Sequence, residues 1–297
     1  MRGIPSPEGS WDRPGGRRRK AAPPVQGGRG PSGRGIGAPL DRIRGFLLDL
    51  DGVIHVGDHP LPGAREALLC LRDRGYPVRF LSNSTRRSHA SVAGRLGGMG
   101  FSIRMEEILT PAVAAAAMLR REEKSAYLLT TGDVRRDFED AGIALVGDHP
   151  DVVVVGDAGD LFTYGLLNRA MRMVLGGAAL VALEKDRTWM GADGPMLSAG
   201  PFVAALEYAT GEEAICVGKP SPGFFAAALD TLGIPAREAA MVGDDIETDI
   251  SGAQRCGIQG ILVRTGKFRE EALARSGIAP DLVIDSVADL LGAKNNL

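Results

Sequence analysis

Asp49-Leu50-Asp51-Gly52 closes the apolar run Phe46-Leu47-Leu48, putting two carboxylates two residues apart where a strand must stop. That spacing suits metal-assisted phosphoryl transfer. One carboxylate can attack phosphorus, the other can manage the leaving-group proton, and together they can hold a hard cation. In open α/β sheets ligands sit beyond the carboxyl ends of the strands, where this pair would lie. Gly52 supplies the backbone freedom for an abrupt turn. An acidic turn without chemistry is the competing reading, because Asp and Gly are common in loops. A calcium loop is a poor rival, since the twelfth position counted from Asp49 is Pro60 and not Glu.

Three later clusters offer partners. Val78-Arg79-Phe80-Leu81 runs into Ser82-Asn83-Ser84-Thr85, whose hydroxyl, amide and backbone N–H groups at a strand end could grip phosphate oxygens. Ser84 or Thr85 could equally cap a helix beginning near Arg86. Lys219 ends the apolar stretch Ile215-Cys216-Val217-Gly218 and is followed by Phe224-Phe225, so its ammonium is expected to point into a pocket. There it would neutralise phosphate oxygens and the attacking carboxylate. Met241-Val242-Gly243-Asp244-Asp245-Ile246-Glu247-Thr248-Asp249 places four acids within six residues, which repel unless a cation or lysine compensates. Asp244, at the strand end, is the better metal ligand; Glu247 reads as an acid of the first helical turn.

The elements that must position these groups alternate along the chain. Strand candidates fall at 44–49, 77–82, 126–130, 151–155, 179–183, 214–218, 239–243, 260–264 and 281–284. Helical patterns lie between them, among them 63–74, 85–97, 111–121, 200–210, 222–232 and 247–256. Such alternation implies α/β architecture with parallel sheets. Ser221-Pro222 marks a helix start and Gly233 its stop.

The chain has 297 residues, 44% hydrophobic and 24% charged, enough for one large or two medium globular domains. No apolar stretch approaches the ~20 residues of a membrane span, and the N-terminus shows no apolar signal core. Cys70, Cys216 and Cys256 are odd in number and scattered, which argues against a disulfide framework and for a reducing, cytoplasmic setting. Residues 1–38 hold eight Arg or Lys against Glu8 and Asp12, with ten Gly and six Pro, and are expected to form a disordered basic tail. The net charge of −2 leaves the remainder acidic, which argues against a nucleic-acid-binding body.

The ordered set of Asp-x-Asp, Ser, Lys and Gly-Asp-Asp with a later Asp, each at a strand end, resembles the four motifs of the haloacid dehalogenase superfamily. Most members are Mg²⁺-dependent phosphatases. The resemblance implies a Rossmann-like parallel-sheet core, with Asp49 as the nucleophile that forms an aspartyl-phosphate. It implies Asp51 as general acid and base, also binding Mg²⁺ through its main-chain carbonyl. Ser82 and Asn83 would bind the transferring phosphoryl group, Lys219 would stabilise its charge, Asp49, Asp51 and Asp244 would hold Mg²⁺, and Asp249 would support the metal waters or Lys219.

Ser82 and Lys219 stand 137 positions apart, far more than the ~30 residues of one βαβ step. The excess is expected to be an inserted α/β cap at 123–212 between core segments 39–122 and 213–297. Such a cap resembles that of subclass IIA, as do Val217-Gly218-Lys219-Pro220, Arg264-Thr265-Gly266-Lys267 and Gly200-Pro201-Phe202. Gly218-Lys219-Pro220-Ser221-Pro222-Gly223-Phe224-Phe225 and Gly252-Ala253-Gln254-Arg255-Cys256-Gly257 resemble the group that includes phospholysine phosphohistidine inorganic pyrophosphate phosphatase. The cap strand Leu180-Val181-Ala182-Leu183 leads into Glu184-Lys185-Asp186-Arg187, where relatives acting on sugar phosphates, nucleotides or pyridoxal phosphate would carry a Thr-Asn-Pro-Asp-like stretch. Lys185 and Arg187 are therefore expected to read an anionic leaving group, or else to be a solvated loop.

The expected activity is Mg²⁺-dependent hydrolysis of a small phosphorylated molecule, with phosphohistidine, phospholysine or pyrophosphate as alternative substrates. Neither nucleic acid nor membrane is expected as partner, and the cap could support a homo-oligomer. Two readings of another class compete. A receiver-like phospho-switch would be about half this length, and a non-catalytic binding protein would have no need of both Asp49 and Asp51. A P-loop is excluded because no G-x-x-x-x-G-K-[ST] occurs.

Overall fold

A computed structural model describes residues 42–191 and 194–290. The expected tail, residues 1–38, lies outside them.

In chain order the first elements are β1 (Gly45–Asp49), β2 (His55–Val56), β3 (His59–Pro60), α1 (Ala64–Asp73), β4 (Val78–Leu81), α2 (His89–Gly98) and β5 (Ile108–Leu109). Then come α3 (Pro111–Arg121), β6 (Ala126–Leu129), α4 (Arg135–Asp140), β7 (Val152–Val155), α5 (Tyr164–Leu175) and β8 (Ala179–Ala182). A hairpin of β9 (Thr188–Gly191) and β10 (Gly194–Leu197) leads to α6 (Gly200–Thr210), β11 (Ile215–Cys216) and α7 (Pro222–Leu232). The chain continues through β12 (Ala239–Gly243), a π-helical turn (Ile246–Ser251), α8 (Gly252–Arg255), β13 (Gln259–Val263), α9 (Glu270–Ser276) and β14 (Leu282–Ile284). Among the described residues no helix is long and apolar enough to cross a membrane.

Two parallel sheets result. The first has six strands in the order β14-β13-β12-β1-β4-β5. Its central strand Gly-Phe-Leu-Leu-Asp is buried throughout, as a parallel strand covered on both faces must be. Phe46 and Leu48 pack with Leu68, Leu71 and Leu96 on one face, and Leu47 packs with Phe224, Phe225 and Leu232 on the other. The second sheet has the order β11-β8-β7-β6. In its strand Val152–Val155, Val152 and Val154 join Ala116, Leu119 and Phe138, while Val153 and Val155 join Ala170, Val174 and Leu206. The strict two-residue alternation of a strand thus feeds two separate cores.

Several expectations need correction. The helix expected over 85–97 begins only at His89, because Ser88, not Ser84 or Thr85, accepts the capping bond, from Ser91 N–H. The segment 247–256 opens as a π turn, since the Asp245 carboxylate takes the N–H groups of Glu247 and Thr248 while Asp249 and Ile250 N–H bond the Asp245 carbonyl. Ser221 occupies the cap position of α7 without a side-chain bond, although Gly233 ends that helix in the left-handed region as expected. The strand expected at 214–218 shrinks to Ile215–Cys216 and pairs with Val181–Ala182, so it belongs to the second sheet. Helix α3, grouped by sequence with residues 39–122, buries Ala112, Ala115, Ala116 and Leu119 in the core beneath the second sheet. The two hairpins and β5 escape the pattern because pairs of two to four residues carry too little periodicity.

Candidate active site

Register brings the separated motifs to one edge. Asp49 pairs beside Leu81, and Leu48 beside Val242, so Asp49, Ser82 and Gly243-Asp244 all emerge at the carboxyl end of three adjacent strands. The chain passes from β1 to β4 on one side and returns to β12 on the other. This reversal opens the kind of crevice in which parallel sheets bind ligands.

Lys219 enters from the second sheet. Its Nζ lies 2.6 Å from Asp49 Oδ1 and 2.7 Å from Asp249 Oδ1, with only 3% of the side chain exposed. Both contacts are close ion pairs, and that with Asp49 is also a hydrogen bond. Burial pulls the ammonium down, but the Asp249 and Asp49 carboxylates outweigh it and hold Lys219 firmly charged. Its peptide is fixed in turn by Asn83, which accepts from Lys219 N–H at 2.8 Å and donates to the Lys219 carbonyl at 3.0 Å. Asn83, expected on the phosphoryl group, therefore spends both ends of its amide on the Lys219 backbone. Ser82 is 8% exposed beside it, and its Oγ accepts from Ser84 N–H at 3.1 Å, which leaves the hydroxyl proton available as a donor.

Three carboxylates converge. One oxygen from each of Asp49, Asp244 and Asp249 lies within 4.8 Å of the others, and all three residues are buried. Burial and the charges of Asp49 and Asp249 push Asp244 up to about 8 against the pull of Lys267. Burial raises Asp249 to about 6 against Lys219. One ammonium cannot satisfy three acids, so the donor set fits a hard divalent cation bound through oxygen. The backbone is shaped for it. Lys267 N–H donates to Asp244 Oδ2 at 2.6 Å, and two left-handed glycines, Gly52 and Gly266, press against the same carboxylate. A β-carbon at either would stand 1.9 Å or 2.1 Å from Asp244 Oδ2. The hydroxyl of Thr265 donates to the Gly52 carbonyl and ties the two loops together.

Asp51 lies apart from this buried group. Its side chain is 73% exposed and stands 3.6 Å from His55 Nδ1, whose own proton affinity is lowered by burial. Lys185 and Arg187 are not brought to the cluster either. Lys185 Nζ pairs with Glu207 Oε1 on α6 at 2.7 Å, and Arg187 is exposed. The loop groups missed by sequence, Thr265 and Gly266, were visible only as part of the Arg264–Lys267 run. The positive φ of Gly266 and the contact of Thr265 with Gly52, 213 positions away, are properties of the folded chain.

Residues 46–144 match the haloacid dehalogenase-like hydrolase family, and residues 216–290 match a second, HAD-hydrolase-like family. The chain is 39% identical over 259 residues to the human phospholysine phosphohistidine inorganic pyrophosphate phosphatase, covering 85% of this chain and 94% of the relative. The p-nitrophenyl phosphatase from Archaeoglobus fulgidus superposes with a TM-score of 0.81 at 32% identity, covering 84% of this chain and 99% of that one. A glycerol phosphate phosphatase from Mycobacterium tuberculosis, solved in complex with magnesium, gives a TM-score of 0.76 at 28% identity over 84% of this chain and 77% of that one.

Proposed function

As this chain belongs to the haloacid dehalogenase-like hydrolase family, subclass IIA, and is one of its phosphatases, we propose that it hydrolyses a small phosphorylated molecule through an aspartyl-phosphate on Asp49 with Mg²⁺ as cofactor. The observation that carries this reading is the buried Lys219 ammonium 2.6 Å from Asp49 Oδ1, beside the converging carboxylates of Asp244 and Asp249.

Asp49 attacks phosphorus and forms the O–P bond as the bond to the leaving oxygen breaks. Asp51 gives its proton to that oxygen. A water then attacks phosphorus, Asp51 takes its proton, and the Asp49–phosphorus bond breaks to release phosphate, which restores the Asp49 carboxylate and leaves Asp51 protonated as at the start. The exposure of the Asp51 side chain suits a group that must reach a leaving group and later a water. Lys219 draws charge from the phosphoryl oxygens throughout, while Asn83 keeps it in place by gripping its peptide. Ser82 offers its hydroxyl to another phosphoryl oxygen. Asp49, Asp244 and the Asp51 carbonyl would hold Mg²⁺, which would supply positive charge to the phosphoryl group. The segment from about 123 to 212, which carries three of the four strands of the second sheet, acts as the cap that covers the site.

Cleavage of a phosphorus–nitrogen bond is a second reading, favoured by the name of the human relative and requiring no different residues. The decisive experiment is Asp49→Asn, which should abolish turnover of p-nitrophenyl phosphate while the fold, followed by circular dichroism, persists. Near-normal activity in that variant overturns the nucleophile assignment.

A further inference from the structure

The run Glu184-Lys185-Asp186-Arg187 leaves β8 directly at the catalytic lysine. The Leu183 carbonyl crowds Gly218, where a β-carbon would stand 2.4 Å from that oxygen, and Gly218 precedes Lys219. The loop beyond Leu183 is held rigidly. Glu184, 2% exposed, accepts from Ser198 Oγ at 2.7 Å and Ala199 N–H at 2.9 Å, and its second oxygen accepts from Asp186 N–H. Gly200 N–H closes the other side on the Asp186 carbonyl at 3.1 Å, so tightly that a β-carbon on Gly200 would stand 2.5 Å from both the Lys185 and Asp186 carbonyl oxygens.

Within this clamped turn the four side chains have different destinations. Glu184 is consumed by the turn itself, Lys185 by Glu207, and Arg187 is exposed, its carbonyl accepting from Ser198 N–H. Asp186 is half-buried and its carboxylate is not taken up by the turn. Burial pushes its carboxyl up, and the charges that act on it are those of Lys267, Asp245, Lys219 and Asp249, all groups of the catalytic edge. The relation is reciprocal, because burial lowers Lys267 and Asp186 is the foremost of the carboxylates that raise it again.

We propose that Asp186 is a specificity-determining residue that selects substrates with a cationic, hydrogen-bond-donating leaving group, such as an aminoalkyl phosphate, over those with an anionic one, such as pyrophosphate. The inference rests on the reading of Asp49 as nucleophile. In-line displacement puts the leaving atom on the far side of phosphorus from Asp49, and the Leu183–Gly218 contact brings the loop that carries Asp186 beside the lysine that faces Asp49. A carboxylate there attracts a cation and repels a second phosphate, and the rigid turn keeps it from swinging aside. The charge that reads the leaving group is then opposite to the one Lys185 and Arg187 would have supplied.

The test compares kcat/KM for phosphoethanolamine and for inorganic pyrophosphate in the magnesium-loaded enzyme, with p-nitrophenyl phosphate as the reference substrate. Asp186→Asn should shift the ratio toward pyrophosphate by about tenfold, the factor that corresponds to ~1.4 kcal/mol, and Asp186→Lys should shift it further. A readout without any variant guards against misfolding: the wild-type preference should shrink as salt rises from 0.05 to 0.5 M. If p-nitrophenyl phosphate is hydrolysed but the ratio moves neither with Asp186→Asn nor with salt, the role of Asp186 is overturned and the phosphatase reading stands. If the wild-type enzyme turns over none of the three, the assignment of Asp49 falls and the inference with it.

Discussion

Asn83 and Lys219, 136 residues apart, are joined by a pair of hydrogen bonds in which the Asn83 side chain takes the Lys219 N–H at 2.8 Å and gives its own N–H to the Lys219 carbonyl at 3.0 Å. A side-chain amide thus mimics a strand neighbour and fixes the backbone from which the buried ammonium projects. Removing it leaves a donor and an acceptor of the Lys219 peptide unpaired in a crowded site. Asn83→Ala should lower kcat by ~10–100-fold, the size of effect that follows loss of an orienting partner, with a smaller change in KM. Steady-state kinetics on p-nitrophenyl phosphate measure both; a rise in KM alone would place Asn83 on the substrate instead.

The carboxylate of Asp244 is shaped by what is missing at Gly52. A β-carbon there would fall 1.9 Å from Oδ2, and φ is +88° at that residue. Gly52→Ala should therefore displace Asp244 as well as strain the turn, costing more than ~1 kcal/mol of stability. The distinguishing consequence is on the cation: calorimetric Mg²⁺ affinity should fall by at least about tenfold relative to wild type. A variant that loses melting temperature yet binds Mg²⁺ normally would show that Gly52 serves the turn alone.

These two relationships mark the border of what the sequence makes legible. Asp49, Lys219 and Asp244 can be found from their place at strand ends, because a charged residue that stops an apolar run has few destinations in a parallel sheet. The centre of the six-stranded sheet is legible for the same reason, as β1, β12 and β13 are each five residues long and almost wholly apolar. Asn83 is legible as a polar group near phosphate but not as a clamp, since its partner is a backbone 136 residues away. Asp186 lies in a run whose acids and cations have equal claim to the site by sequence, and only the Glu184 clamp and the Glu207 pair show that Glu184 and Lys185 are spent on the fold. Backbone contacts and side-chain directions of this kind leave no period or composition to read.

Proton linkage gives a third prediction. Asp244 is pushed up to about 8 by burial and the charges of Asp49 and Asp249, and Asp249 to about 6 by burial against Lys219, with Asp49 and Asp245 adding their charge. Below pH 8 the cluster therefore carries a proton that a cation must displace. Mg²⁺ affinity should rise with pH from 6 to 8, by up to about one logarithmic unit per pH unit for one displaced proton, and then flatten. Titration calorimetry in buffers of different ionisation enthalpy should register the released proton at pH 7. An affinity independent of pH over this range would mean that the acids are already ionised before metal arrives.

A fourth prediction concerns a pair far from the chemistry. His89, the first residue of α2, places Nδ1 2.7 Å from Asp137 Oδ1 on α4, and Asp137 also accepts the His89 N–H. The hydrogen bond to Asp137 raises the imidazole's proton affinity against the cost of burial, with Asp137, Asp140 and Glu106 adding their charge. A folded value above the unfolded 6.5 means that the imidazolium contributes its full stability below pH 6.5 and loses it as the pH rises through the folded value. His89→Asn removes the cation but keeps the backbone bond to Asp137, so it isolates this contribution. The wild type should exceed the variant by about 1 kcal/mol at pH 6, seen as a few degrees in melting temperature. The gap should close toward pH 9, because the neutral imidazole no longer answers the buried Asp137 charge. A gap of constant size from pH 6 to 9 would assign the contact to packing, with no contribution from the charge.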